Sequence, residues 1–178
     1  MKILIASDIH GRIKRATRLD EIIKKENPEK IILLGDFLYN GPRNGVPHDY
    51  DPMGVANIIK TYVPRLIPIR GNCDADIDIT VLGFDLPKVN DITLNGHMTH
   101  LIHGDDFSLV SAKKGDIVMF GHIHVPLLFE KDGVTFLNPG SVSFPKESSV
   151  PSFALWDENT LGLYSLDDEK CYKSLTIQ

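Results

Sequence analysis

The sequence predicts an α/β protein in which two β-sheets lie face to face with helices outside, and three observations carry that expectation. The first half alternates short apolar runs with segments of helical period. The second half breaks into short strand-like runs split by turn residues. At 178 residues the chain is long enough for one domain with a real core, read as spanning 1–178.

Residues 2–7, KILIAS, form a buried strand. Ile13, Ala16, Leu19, Ile22 and Ile23 then recur at helical spacing until Asn27-Pro28 ends the pattern. KIILLG, 30–35, is the second strand. After a Gly/Pro/Asn-rich loop from 40 to 51, Asp51 and Pro52 make an N-cap and first helical position for a helix through Ile58 and Ile59. RLIPIRG, 65–71, is a third strand. The order is βαβαβ, whose parallel strands need crossover helices on the sheet faces.

Beyond about Asp91 the runs DITLNG, MTHLIHG, DIVMFG, VPLLFEKDG, VTFLNPG, SFALWDENT, LGLYSLD and KSLTIQ read as strands, with helix expected only near 107–114. Residues 130–133 and 157–159 look like hairpin turns. This texture of a parallel half and an antiparallel half is what suggests two sheets.

Composition excludes several function classes. A formal charge of −5 leaves no broad basic footprint for nucleic acid, and no such partner is expected. No apolar run approaches the roughly 18 residues of a membrane span. The N-terminus reads as a strand and not a signal peptide. Cys73 and Cys171 do not resemble a disulfide framework, and a cytoplasmic location is expected.

The ends of the runs carry the chemistry. KILIAS leads into Asp8-Ile9-His10-Gly11, KIILL into Gly35-Asp36, and RLIPIR into Gly71-Asn72-Cys73-Asp74. MTHLI ends in His103-Gly104, and DIVMF in Gly121-His122-Ile123-His124. Carboxyl ends of parallel strands form the ligand crevice of open α/β sheets. Singly, each piece has an ordinary reading: a turn, an N-cap, a satisfied core histidine. Five in order, each at a strand end and beside a glycine, are not independent accidents.

Asp8, His10, Asp36, Asn72, His103, His122 and His124 supply oxygen and imidazole nitrogen without thiolate, a donor set for Mn, Fe, Zn and similar ions. Seven ligands exceed the need of one ion. Two ions sharing one carboxylate is the natural reading, an arrangement that activates water and clamps phosphoryl oxygens.

The ordered set Asp8-x-His10, Gly35-Asp36, Gly71-Asn72-x-Asp74, His103-Gly104 and Gly121-His122-x-His124 resembles the calcineurin-like metallophosphoesterase superfamily. GPRN (41–44), RGNCD (70–74) and NPGSVS (138–143) resemble its small single-domain bacterial and archaeal phosphodiesterase branch. The resemblance covers the chain to about Trp156. It implies a four-layer αββα sandwich of two mixed β-sheets with a dinuclear site on one edge. By the same resemblance Asp8, His10 and His124 hold one ion, Asn72, His103 and His122 the other, and Asp36 bridges. It also implies two divalent ions, Mn²⁺ first with Fe, Ni or Zn fitting the same ligands, and attack on a small phosphodiester by a metal-bridging hydroxide. Both histidines of GHIH are expected to face one centre from an extended segment, where residues two apart share a side.

Other assignments at the site follow. Where many relatives have Asn-His, this chain has Asn72-Cys73, a pair that the small phosphodiesterase branch shares; the resemblance implies loss of a histidine assigned to orienting the phosphate or protonating the leaving group, and favours diesters with good leaving groups. Asp74 either orients a ligand histidine or closes a turn. Arg43 either faces phosphate or is an ordinary solvated arginine. His48 and His97 are weak candidates for acids, and His100 is expected to face elsewhere. Asp105 stands where many relatives carry a further histidine. Asn138 to Ser141 looks like a supporting rim turn. Alternative functions are phosphomonoester or protein-phosphate hydrolysis, and a non-catalytic scaffold of the same fold. A homodimer or homotetramer is expected from VLGF, 81–84, taken as exposed.

Overall fold

The computed structural model describes residues 1–42 and 44–177. Strand β1 (Ile3–Ala6), helix α1 (Ile13–Glu26), β2 (Lys30–Leu33), helix α2 (Pro52–Lys60) and β3 (Leu66–Pro68) realise the expected βαβαβ unit, with β1, β2 and β3 parallel. Asp51 caps α2, its carboxylate accepting from Gly54 N at 2.9 Å, with Pro52 in the first turn.

A third helix, α3 (Asp76–Leu82), has no helical apolar period in the sequence. Its DIDITVL alternates polar and apolar residues and is rich in β-branched side chains, which disfavour helix. Tertiary packing decides it. Leu82, 1% exposed, joins the core shared with α1 and α2, and Gly83 closes the helix in a left-handed conformation. This corrects the reading of 81–84 as an exposed apolar segment, since Val81 and Phe84 also pack on that core.

The rest of the chain runs β4 (Val89–Leu94), β5 (His97–Ile102), a 3-10 turn at Phe107–Leu109, β6 (Ile117–Met119), β7 (Leu127–Lys131), β8 (Val134–Asn138), β9 (Ser152–Asp157), β10 (Thr160–Ser165) and β11 (Cys171–Thr176). The first sheet has the order β11-β10-β9-β1-β2-β3 and the second β4-β5-β6-β8-β7. The partition into a parallel and an antiparallel half does not hold. Strands β9 to β11 join the first sheet antiparallel, while β5, β6 and β8 run parallel in the second.

Alternation along the strands sorts side chains into layers. Leu4 and Ala6 face α1 and α2, and Ile3 and Ile5 face Met119 and Leu137 of the second sheet. The outer face of the second sheet, with Val118 and Val134, is covered by the segment around the 3-10 turn through Val110 and Ala112. All three α-helices therefore lie on the first sheet, and the fourth layer is thin.

Candidate dinuclear metal centre

The sandwich brings five strand-end loops to one edge. Asp8 and His10 follow β1, Asp36 follows β2, Asn72 follows β3, His103 follows β5, and His122 and His124 follow β6. Asp8, His10, Asp36, His103 and His124 are buried and His122 is half-buried.

Three of the rings are fixed from behind. The Nδ1 of His10 meets Tyr39 O at 2.8 Å, that of His124 meets Phe144 O at 2.7 Å, and that of His103 meets Leu34 O at 2.7 Å. A carbonyl only accepts, so each Nδ1 carries the proton, and in the neutral ring each Nε2 turns a lone pair inward.

The inward atoms converge. His10 Nε2 lies 3.3 Å from His124 Nε2, two lone pairs facing each other, and Asp8 Oδ1 is 3.2 Å from His124 Nε2. That oxygen is buried without a directed hydrogen bond. His103 Nε2 and His122 Nδ1 both lie 2.9 Å from Asn72 Oδ1. Asp36 Oδ2 stands between the two groups, 3.6 Å from His10 Nε2 and 3.5 Å from His103 Nε2, while its Oδ1 accepts from Cys73 N at 2.9 Å.

Donor atoms about 3 Å apart match neighbouring ligands on one ion with bonds of roughly 2.1 Å. The residues therefore fit a pair of divalent ions. Asp8, His10 and His124 could hold one ion, and Asp8, Asp36 and His103 also come close enough together to share one. The electrostatics agree. Burial alone raises the Asp8 carboxyl, but His124, with His103 and His10, holds it below its ordinary range. Burial works against a charged His124, yet Asp8 raises its pKa. Positive charge is favoured beside Asp8, while burial and His103 lower the pKa of His122.

The backbone is unusual at five of the seven positions. Asp8, His10, Asp36, His122 and His124 all have positive φ, between 52° and 67°. Such conformations are sparsely populated by non-glycine residues and cluster at functional sites. This corrects the extended reading of GHIH: both rings reach the centre because His122 and His124 are each left-handed. Gly71 and Gly121 serve by close approach. A Cβ on Gly71 would come 2.1 Å from Asp36 Oδ1, and one on Gly121 would come 2.0 Å from Ser7 Oγ.

Among the described residues the Asp74 carboxylate is bonded to backbone amides and to no histidine. Its Oδ2 accepts from Asp36 N at 2.9 Å and Gly71 N at 2.7 Å, and its Oδ1 from Phe37 N at 2.8 Å, so it ties the loop after β2 to the loop after β3. Burial pushes its carboxyl up to about 6, opposed by those amides.

The NPGS segment is not a rim turn but a fully buried brace. Asn138 Nδ2 donates to Gly121 O at 2.7 Å, Ser141 Oγ to Asp8 O at 2.9 Å and Ser143 Oγ to Ile9 O at 2.6 Å. His48 is exposed, and His97 lies beside Trp156 with ring centroids 6.0 Å apart. His100 does face elsewhere, between Asp91 and Asp116. Arg43 lies outside the described residues.

Above the ligands is a cleft of about 410 Å³, bordered also by Asn44, Cys73 and Lys146. Lys146 was not singled out in the sequence, where a lysine after NPGSVSFP carries no chemical signature of its own. A second hollow of about 420 Å³ opens on the far side of Asn72, flanked by Arg70, Lys88, Asp105 and Asp106.

The calcineurin-like phosphoesterase superfamily domain matches residues 1–161. The chain belongs to this superfamily. Among its calcineurin-like relatives, the phosphodiesterase YfcE of Escherichia coli is 32% identical over 181 residues, covering 99% of this chain and 98% of its own. The solved structure of the E. coli phosphoesterase Yfce covers 100% of both chains with a TM-score of 0.95 at 30% identity. The phosphodiesterase MJ0936 of Methanocaldococcus jannaschii is 31% identical over 152 residues, covering 79% of this chain and 83% of its own. Vps29 of Entamoeba histolytica, solved with zinc, shares the calcineurin-like fold over 100% of both chains, with a TM-score of 0.67 at 21% identity.

Proposed function

We propose that this chain hydrolyses phosphodiesters with two divalent ions, Mn²⁺ foremost, held by Asp8, His10 and His124 on one side and Asn72, His103 and His122 on the other, with Asp36 between them. The observation that carries the reading is the convergence of His10 Nε2 and His124 Nε2, 3.3 Å apart, beside the buried Asp8 Oδ1 at 3.2 Å from the latter, with both Nδ1 atoms held by carbonyls, an arrangement that a cation satisfies. The names of two relatives support the diester over the monoester. Two such ions supply Lewis acidity at phosphoryl oxygens and a water acidic enough to act near neutral pH.

The protein's own groups do the rest. Asp8, Asp36 and the rings of His10, His103 and His124 arrive preorganised, each of these three rings held by a backbone carbonyl, so little reordering accompanies binding of ions or substrate. Asp74 keeps the Asp36 and Asn72 loops in register. Arg43 is proposed to face phosphate from the GPRN loop. Burial and the neighbouring Asp36 push the Cys73 thiol up to about 12, which makes it a poor nucleophile. With Cys73 where many phosphatases of the superfamily have a histidine, leaving groups depart with little protein assistance, and aryl diesters are the favoured substrates.

A cytoplasmic location and a homodimer or homotetramer remain part of this reading. Among the described residues no helix is long and apolar enough to cross a membrane. Association finds support in Phe107, Leu109 and Phe129, exposed near the thinly covered second sheet, and no longer in residues 81–84. Sedimentation velocity reads the oligomeric state directly.

The test of the activity is hydrolysis of bis(p-nitrophenyl) phosphate beside p-nitrophenyl phosphate by chelator-stripped protein, with and without Mn²⁺. Metal-dependent turnover with the diester ahead is expected, and a faster monoester would overturn the diesterase reading. Asp36→Asn abolishes the metal-dependent rate; a variant with full activity and full metal content would remove Asp36 from the site.

A further inference from the structure

Lys146 is the one lysine or arginine among the described residues lining the cleft above the candidate centre, where it stands with His10, Asp36, His122 and His124. It is exposed and forms no ion pair among the described residues, unlike Arg12, whose guanidinium is taken by Asp49 at 2.7 Å.

The loop that carries Lys146 is held at several points. Ser141 and Ser143, upstream, are bonded to Asp8 O and Ile9 O. Phe144 O receives the His124 ring, and Lys146 N donates to His124 O at 3.1 Å, so the same short segment grips His124 by ring and by backbone. Downstream, Lys146 O accepts from Ser149 N at 3.0 Å and from Ser149 Oγ at 2.6 Å. The turn so closed passes through Glu147 and Ser148, at φ 53° and 59°. Two successive left-handed residues without a glycine persist only where their surroundings over-determine them. The fold maintains a strained turn whose first residue is a lysine at the mouth of the cleft.

Exposed and without an ion pair among the described residues, this lysine has its ammonium free for a ligand. Its ammonium is a compact charge with three rotatable donors, suited to the non-bridging oxygens of a phosphoryl group. We propose that Lys146 is a substrate-binding residue that anchors a phosphoryl oxygen from the His124 side of the cleft, setting the affinity for phosphodiester and for inorganic phosphate. The proposal rests on the phosphodiesterase reading and deepens it.

The experiment compares wild type, Lys146→Met and Lys146→Arg as Mn²⁺-loaded proteins. Three quantities are read: calorimetric binding of inorganic phosphate, kcat and KM for bis(p-nitrophenyl) phosphate, and metal content. Losing a charge-assisted hydrogen bond corresponds to roughly 10- to 100-fold in affinity. Lys146→Met is expected to weaken phosphate binding and raise KM by that order, with metal content unchanged, while Lys146→Arg restores phosphate affinity to within about threefold. Wild-type affinity in the Met variant would overturn the proposal. So would loss of metal in that variant, which would make the residue a support for His124, and so would absence of phosphate binding to wild type. A wild type that binds phosphate in a Lys146-dependent manner yet turns over no diester would leave the anchor standing and remove the diesterase reading.

Discussion

His10, His103 and His124 each give one ring nitrogen to a backbone carbonyl, and that contact decides which atom faces the cavity. Asp74 acts in the same way on the main chain, with three amides on one carboxylate. Asp74→Asn leaves at least one buried N–H without an acceptor and is expected to cost about 1–3 kcal/mol. Denaturant unfolding of the metal-free protein measures this cost, and an unchanged midpoint would show that the carboxylate is dispensable. Away from the site, burial works against a charged His100, but Asp116 and Asp91 on its two nitrogens raise its pKa. Its contribution to stability is therefore fully present below the unfolded value of about 6.5 and is lost as pH rises through the raised folded value. His100→Gln should flatten the pH dependence of unfolding over that interval. Equal slopes for variant and wild type would refute the coupling.

The strand ends act as a set because neighbouring loops approach at backbone distance. Gly121 faces Ser7 across the gap between the two sheets, and an added Cβ would strike Ser7 Oγ and approach Ser7 Cβ to 2.9 Å. Gly121→Ala is expected to destabilise the protein by about 1–3 kcal/mol, the cost of an overpacked core. Adding Ser7→Gly removes two of the three struck atoms, leaving Asp8 Oδ2 at 2.9 Å, and should recover part of the loss, a coupling that a double-mutant cycle quantifies. Strictly additive effects would mean that the strain lies elsewhere. At this scale the strands and first two helices are legible in the sequence, since β1, β2, α1 and α2 follow apolar period and capping residues closely. Helix α3 is not, because DIDITVL has no helical period and owes its conformation to the core it touches.

In the whole molecule, two sheets from different parts of the chain place seven donors at one edge, and the polar cluster is only partly satisfied by the protein itself. Ions that bind the folded state alone stabilise it by about 2.7 kcal/mol at a hundredfold excess over Kd. Adding Mn²⁺ to chelator-stripped protein is then expected to raise Tm by roughly 5–10 °C. Identical melts with and without the metal would argue against a built site.

The order of the candidate ligands was legible in the sequence alone, because each motif that carries them ends an apolar run and includes a glycine. So was the class of fold, because side-chain periodicity is a local property. Tertiary structure decided the rest: which sheet β9 to β11 join, that His122 and His124 reach the centre through left-handed backbone, that Asp74 and the NPGS segment brace the main chain, and that Lys146 stands over the cleft. These depend on contacts between residues tens of positions apart, whose energies leave no period in the chain and exist only once both sheets have packed.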